Sequence, residues 1–519
     1  MRDGCQARGI ALSAQDKLRI ARRLDEMGID YIEGGWPNPT NPRDLEFFER
    51  AKDLELKHAR LVAFGSTRRA ENPPEKDAVL QTLLRAETPA VAIFGKSWDL
   101  HVTKVLRVSQ KDNLAMIESS VRHLKQAGRE VVFDAEHYFD GYKENPKYAL
   151  ESIRAAQEGG ADWVVLCDTD GGRLLHEIEE AVQAARGVLQ TPFGMHMHND
   201  SGLAVAGTLA GVRAGAGQVQ GTVNGYGERC GNANLCTIIP ILELKMGCRC
   251  IGAEKLKEMT EFSRYVAELA NLAHDERQPF VGAAAFSHKA GMHIDGVVKE
   301  KRSFEHVPPE AVGNSRDLLI SDQAGTRAVT EVLREEFTDL DKSDPRVREL
   351  LEAVKKLEHQ GYQFEAADGS FKLLARKILE KYTPIIELER FRVLVEKRAD
   401  GEIDSEAVLK VTVKGQPHYT AATGDGPVNA LDNALRKALG EFGEQVAEIA
   451  LSDYKVRVLD EKSGTAARVR VLIDTSDSEG TWGTVGASEN MIEASWQALV
   501  DSIEYGLHRA MARQKRQDS

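Results

Sequence analysis

Two histidines sit two residues apart in Gly194-Met195-His196-Met197-His198-Asn199-Asp200, directly after the apolar approach Thr191-Pro192-Phe193. On an extended strand, residues i and i+2 project to the same face. Two neutral imidazoles side by side can chelate a divalent metal. The plainer alternative is a strand end with two solvent-facing histidines, because so short a motif recurs by chance. A second pair lies in Ala285-Phe286-Ser287-His288-Lys289-Ala290-Gly291-Met292-His293-Ile294-Asp295-Gly296. There His293 is flanked by Gly291 and Asp295, which suits a positioned acid or base better than a packed core. Between the pairs runs Gly225-Tyr226-Gly227-Glu228-Arg229-Cys230-Gly231-Asn232-Ala233-Asn234. Glycines there permit tight turns and close backbone approach to a ligand, including a phosphate.

These residues need a scaffold. From about residue 28 to 246, short apolar runs alternate with amphipathic helical runs. Strands are predicted at 30–34, 60–64, 90–94, 130–135, 163–167, 193–198 and 219–223, and helices at, for example, 112–126, 146–157 and 174–185. The runs are apolar throughout rather than alternating, as expected where both sheet faces are covered. Repeated βα units imply a parallel sheet, and the expected class is an α/β (β/α)₈ barrel. In such a barrel the C-terminal strand ends carry the active site. Glu33, Glu136, Asp168, Thr169, Asp170, His196, His198 and Asn224 fall at those ends. Asp170 and Asp200 also suit the role of helix caps.

The count gives seven strands, with one further helix at 14–27 ahead of the first. An eight-stranded barrel needs a strand just upstream of Arg2-Asp3-Gly4, so the expectation is that the first strand is missing and that the natural protein begins upstream of Met1. Residues 252–275 read as one helix and 326–382 as a charged helical region. From 386 onward the pattern changes to βββα, twice. Strands are predicted at 387–396, 407–413, 418–423, 446–459, 467–473 and 481–485, with helices at 428–442 and 491–511. The two helices share spacing, with Ala430, Ala434 and Leu435 set against Ala494, Ala498 and Leu499. The predicted organisation is a barrel over 1–250, helical linker subdomains over 251–385, and a duplicated α+β regulatory domain over 386–515.

The bulk numbers exclude several classes. The chain has 519 residues, 42% hydrophobic and 29% charged, with a net charge of −13. That balance argues against a nucleic-acid surface. No apolar run approaches a membrane span. The six cysteines, including the lone Cys248-x-Cys250 pair, read as reduced thiols of a cytoplasmic protein.

The assembled residues resemble the acyl-transferring synthases that condense acetyl-CoA with a 2-oxo acid, a family of 2-isopropylmalate, homocitrate and citramalate synthases. The matching motifs are Arg2-Asp3-Gly4-x-Gln6, His196-x-His198, Gly225-x-Gly227-Glu228-Arg229-x-Gly231-Asn232-Ala233, and His288-Lys289-x-Gly291-x-His293-x-Asp295-Gly296. The C-terminal region looks like the family's leucine- or isoleucine-sensing domain. Glu33-Gly34-Gly35-Trp36-Pro37-Asn38-Pro39, Phe133-Asp134-Ala135-Glu136-His137, Cys167-Asp168-Thr169-Asp170-Gly171 and Glu489-Asn490-Met491-Ile492 resemble the citramalate branch most.

The resemblance implies that Asp3, His196 and His198 ligate a divalent metal (Mn²⁺, Mg²⁺ or Zn²⁺), with Asn232 close by. It implies that pyruvate and acetyl-CoA are the substrates and that Arg2 stabilises the forming alkoxide. Glu136 and Thr169 position pyruvate, Gln6 braces the first loop, and His293, assisted by a carboxylate, removes a methyl proton from acetyl-CoA. It further implies a homodimer, isoleucine as effector, and a place in isoleucine biosynthesis. Phe304 stands where relatives often carry tyrosine, so no catalytic hydroxyl is expected there. The alternatives are a 2-isopropylmalate synthase acting on 2-oxoisovalerate, and a 3-hydroxy-3-methylglutaryl-CoA lyase, which shares the first two motifs. A barrel kept only as an amino-acid sensor is the non-enzymatic reading.

Overall fold

The structure, a computed structural model, describes residues 1–334, 336–380, 382–460 and 467–517. The chain divides into two compact units, Met1–Phe286 with Val307–Arg316, and Ser287–His306 with Asp317–Ser519.

In the first unit seven strands form one parallel sheet in chain order. They are β1 (Tyr31–Gly35), β2 (Arg60–Ser66), β3 (Ala90–Lys96), β4 (Glu130–Glu136), β5 (Trp163–Asp168), β6 (Phe193–Met197) and β7 (Gln218–Gln220). All seven predicted strands are present, shifted by one to three residues at their ends. A helix follows each crossover, as parallel pairing requires. The leading helix α1 (Ala14–Glu26) opens with a capping box between Ser13 and Asp16 and buries Leu18, Ile20, Ala21 and Leu24. Among the described residues β1 pairs only with β2 and β7 only with β6, so the barrel is open between them. A cavity of about 780 Å³ runs along both free edges, lined by Ile32 and Val219 among others.

The strand period sorts the side chains. Leu61, Ala63, Val91, Ile93, Val131, Phe133, Val164 and Leu166 pack outward into the main core with the helices. Val62, Phe64, Ala90, Ala92, Val132, Val165 and Cys167 form a separate inner cluster. Register then carries polar residues onto that inner face near the C-terminal rim. Asp134 is partnered with Phe94, Glu136 with Lys96, His196 with Cys167, and Gln220 with His196.

The reading of 252–275 as one helix is corrected: there are two, Ala253–Leu256 and Met259–Leu269. The break at Lys257 is where Gly313 packs against its carbonyl, too close for any side chain, while Thr260 donates to the Val312 carbonyl at 2.8 Å.

The second unit begins with a short pairing of β8 (Ser287–His288) and β9 (Asp317–Leu318) and the helices Thr326–Val332, Pro345–His359 and Asp368–Leu379. Glu335 and Lys381, inside the region read as helical, lie outside the described residues. Two antiparallel sheets follow. One is β10 (Ile386–Lys397), β11 (Ile403–Val413) and β12 (Gln416–Gly424), with helix Pro427–Ala438. The other is β13 (Ala450–Val458), β14 (Val469–Asp477) and β15 (Gly480–Ser488), with helix Met491–Gln517. This is the expected βββα repeat, and all six residues of the shared helix spacing are buried. One correction applies: Val446 belongs to a short helix, Gly443–Ala447, that precedes the strand. Among the described residues no helix is long and apolar enough to cross a membrane.

Candidate active site

Asp3, His196 and His198 converge at the C-terminal rim of the sheet. They are the only group of three potential metal-ligating side chains found among the described residues, and all three are buried. His196 Nε2 lies 3.1 Å from His198 Nε2 and 3.2 Å from Asp3 Oδ2. Asp3 sits in a single turn of helix, Asp3–Gln6, and Asn232 Nδ2 donates to its Oδ2 at 2.9 Å. The Arg2 backbone N–H donates to the Glu33 carbonyl, which ties this turn to β1.

Two imidazoles and a carboxylate aimed at one point fit a divalent ion. The Oδ1 of Asn232, beside them, is buried without a hydrogen-bond partner. Burial pulls His196 down, but the hydrogen bond and charge of Asp3 more than reverse this and raise it to about 9. Burial and the neighbouring His196 lower His198 to about 4. Burial would raise Asp3, yet Arg2 and His196 hold its carboxyl well below the usual carboxylate range.

Arg2 is the second element. Its Nε donates to Glu33 Oε2 at 3.0 Å and its Nη1 to Asp3 Oδ1 at 2.8 Å, while the guanidinium lies 3.7 Å from the centre of the Phe64 ring. Burial opposes its charge, but Glu33 and Asp3 together hold it fully protonated. Phe64 stacks on Phe94 at 5.6 Å and Trp36 meets both edge-on. Trp36 is fixed from behind: Asp44 accepts from its backbone N–H at 2.9 Å and pairs with the buried Lys17, which also donates to the Gly34 carbonyl. A cavity of about 480 Å³ is lined by Arg2, Asp3, Gln6, Trp36, Phe64, Phe94, Asp134, Glu136, Thr169, His196 and His198.

Glu136 faces this cavity and forms an ion pair with Lys96, its register partner on β3. Gln6 is solvent-exposed at the same cavity. The Thr169 hydroxyl accepts from the His137 backbone N–H at 2.9 Å. Asp168, adjacent, is pushed up to about 7 by burial and then by Asp170.

Other rim residues have local duties. Asp170 accepts from Gly172 N and so shapes its own turn, and Asp200 pairs with Arg229. Asn224 is turned to Ser263, whose carbonyl its Nδ2 reaches at 2.9 Å. It does not line the cavity around Arg2.

His293 lies in the second unit, on helix Gly291–Lys299, with its exposed ring stacked on Phe304 at 4.4 Å. Asp295, which flanks it in the sequence, pairs with Lys299 and with Arg327 at 2.9 Å.

Sequence reasoning missed Lys96, Lys17, Phe64 and Gln220, and gave Arg229 no role beyond its place in a motif. For Lys96, Phe64 and Gln220 a signal was available, because each has inward parity at a strand end.

Residues 1–266 match the HMGL-like family, 280–362 the homocitrate synthase post-HMGL domain-like family, and 365–507 the LeuA allosteric (dimerisation) domain. The chain belongs to the HMGL-like family. Within it, the chain is 50% identical over 509 residues to the (R)-citramalate synthase of Aquifex aeolicus, covering 98% of this chain and 96% of that one. It is 49% identical to the (R)-citramalate synthase of Geobacter sulfurreducens, covering 98% and 97%. A probable 2-isopropylmalate synthase of Methanopyrus kandleri is 30% identical, covering 97% and 96%. Among solved structures, a hydroxymethylglutaryl-CoA lyase from Pseudomonas aeruginosa aligns over 53% of this chain and 91% of its own, with a TM-score of 0.45 and 19% identity.

Proposed function

We propose that this chain condenses acetyl-CoA with pyruvate and hydrolyses the resulting thioester to give (R)-citramalate and CoA. The observation that carries this is the convergence of Asp3, His196 and His198 beside Arg2 and Glu136 in one small cavity. It occurs in a chain 45–50% identical, over nearly its whole length, to five (R)-citramalate synthases.

The reaction forms a bond between the acetyl methyl carbon and the pyruvate carbonyl carbon, then spends one water on the thioester. Asp3, His196 and His198 would hold a divalent metal. That ion supplies Lewis-acid polarisation of the ketone and carboxylate of pyruvate. The Arg2 guanidinium, already fixed by Glu33 and Asp3, presents N–H donors to the oxygen on which charge develops. Glu136, anchored by Lys96, and the Thr169 hydroxyl orient pyruvate, and Gln6 braces the first turn. Trp36, Phe64 and Phe94 give the cavity its apolar wall, which suits a methyl substituent. His293 is the proposed base for the methyl proton of acetyl-CoA.

The matched dimerisation domain supports a homodimer, with isoleucine as the effector this reading assigns to the duplicated region. A role in isoleucine biosynthesis and a cytoplasmic location belong to the same reading, the latter resting on six free cysteines.

A thiol-release assay over a panel of 2-oxo acids tests the assignment. Pyruvate is expected to give the highest kcat/KM. A higher value with 2-oxoisovalerate would make the chain an isopropylmalate-forming enzyme. Acetoacetate released from 3-hydroxy-3-methylglutaryl-CoA would make it a lyase.

A further inference from the structure

His196 differs from His198 in what holds the far side of its ring. His196 Nδ1 lies 2.8 Å from Gln220 Oε1, and Gln220 Nε2 donates to Asp134 Oδ1 at 3.1 Å, with a longer 3.4 Å approach to Gln218 Oε1. His196 on β6 and Gln220 on the neighbouring β7 are register partners, Asp134 lies on β4, and all three project onto the inner face of the sheet, with Asp134 3% exposed. His198 Nδ1 instead faces Arg229 Nη2 at 3.0 Å.

The first chain of contacts has a direction. Gln220 Nε2 donates to Asp134 Oδ1, so the NH₂ end of the amide faces Asp134. The amide oxygen must then face His196. A carbonyl oxygen only accepts, so His196 Nδ1 carries a proton, and Nε2, toward Asp3 and His198, is the nitrogen that would release its proton to a metal. The ring left after that release is the tautomer a metal needs. At His198 the far nitrogen meets a donor, so the neutral ring there carries its proton on Nε2. Holding a metal through Nε2 would require that proton on Nδ1 instead, facing Arg229, which also donates to Asp200 at 2.9 Å and to the Thr169 carbonyl at 2.7 Å.

We propose that Gln220, oriented by Asp134, is a positioning residue that presets His196 as the anchoring metal ligand. The inference rests on the metal reading of the site and adds to it two residues outside the Asp3, His196 and His198 group. Groups that orient a ligating histidine typically contribute 10–100-fold in metal affinity.

The test uses the full chain stripped with chelator and titrated with Mn²⁺ alone, followed by calorimetry. Gln220→Met keeps the side-chain length and removes both hydrogen bonds. It is expected to weaken Mn²⁺ binding by about 10–100-fold while the melting temperature of the chain stays close to that of the parent. Asp134→Asn lets the Gln220 amide face either way, and a smaller loss, still above twofold, is expected. In ¹⁵N-histidine spectra of the Mg²⁺-loaded chain, the hydrogen-bonded Nδ1–H of His196 is expected in the parent and absent in Gln220→Met. A purely structural role would not move that signal.

Mn²⁺ affinity within twofold of the parent in the folded Gln220→Met variant would overturn the proposal. So would an unchanged Nδ1–H signal. If Gln220→Met does not fold, Asp134→Asn decides by the same twofold criterion. If the parent chain binds no Mn²⁺, the metal reading itself fails, and this inference falls with it.

Discussion

The rim of the parallel sheet and the duplicated C-terminal region use the same two-residue strand period with opposite results. On β4, β6 and β7 the inward parity near the rim is given to Asp134, Glu136, His196 and Gln220. On β11 and β14 it is given to Ala407, Leu409, Val411, Val471 and Ile473, packed under Ala430, Ala434, Ala494 and Ala498. Burying ionisable groups costs stability unless they are paired, and the rim pairs them: Arg2 with Glu33 and Asp3, Lys96 with Glu136. The duplicated region carries its apolar surplus on the outside instead, where Leu388, Leu394, Val395 and Ile403 of one sheet and Leu451, Val456 and Val458 of the other are exposed. A buried polar cluster marks chemistry, and an exposed apolar strand face marks a partner surface.

Four substitution experiments would break or sharpen this contrast. The largest effect belongs to the ligands. His196→Ala or His198→Ala is expected to abolish thiol release and lower metal content, measured by turnover and elemental analysis. Next is Arg2→Met, which removes a fixed donor from the site of developing charge. A fall in kcat of roughly 10²–10³-fold is expected with metal content unchanged. Third, Val395→Lys with Ile403→Lys places charge on one exposed apolar face shared by β10 and β11. Weakening of self-association by about tenfold or more, equivalent to about 1.4 kcal/mol, is expected in sedimentation equilibrium, with Mn²⁺ binding unaltered. The smallest is Ala434→Leu, or its counterpart Ala498→Leu. Overpacking beneath a sheet costs about 1–3 kcal/mol, seen as a lower denaturation midpoint, again without change in Mn²⁺ affinity. Loss of metal binding in either of the last two would erase the contrast between the regions.

Much of this architecture was legible in the chain because parallel strands covered on both faces read as apolar runs. The seven runs from Tyr31 to Gln220 needed no knowledge of their neighbours. The βββα repeat was legible for a different reason, since two helices carried the same alanine spacing. His196 and His198 were legible because their relation is local, two residues on one strand. Asp3 and Asn232 join them from far along the chain and outside the parallel strands, while Gln220 meets His196 through the register of β6 and β7. The break at Lys257 was hidden because it depends on Gly313, and the pairing of Asp295 with Arg327 because that arginine lies a helix away. Residues whose duty is set by a partner distant in the sequence leave no local pattern.

The central claim is that His196 and His198 hold the ion on which condensation depends. Electron paramagnetic resonance of Mn²⁺ titrated into the chelator-stripped chain tests it most directly. The account predicts one Mn²⁺ per chain with ¹⁴N couplings from two imidazoles, one lost in each single alanine variant, and a spectrum perturbed when pyruvate is added. Full Mn²⁺ occupancy in a chain carrying both His196→Ala and His198→Ala would contradict it.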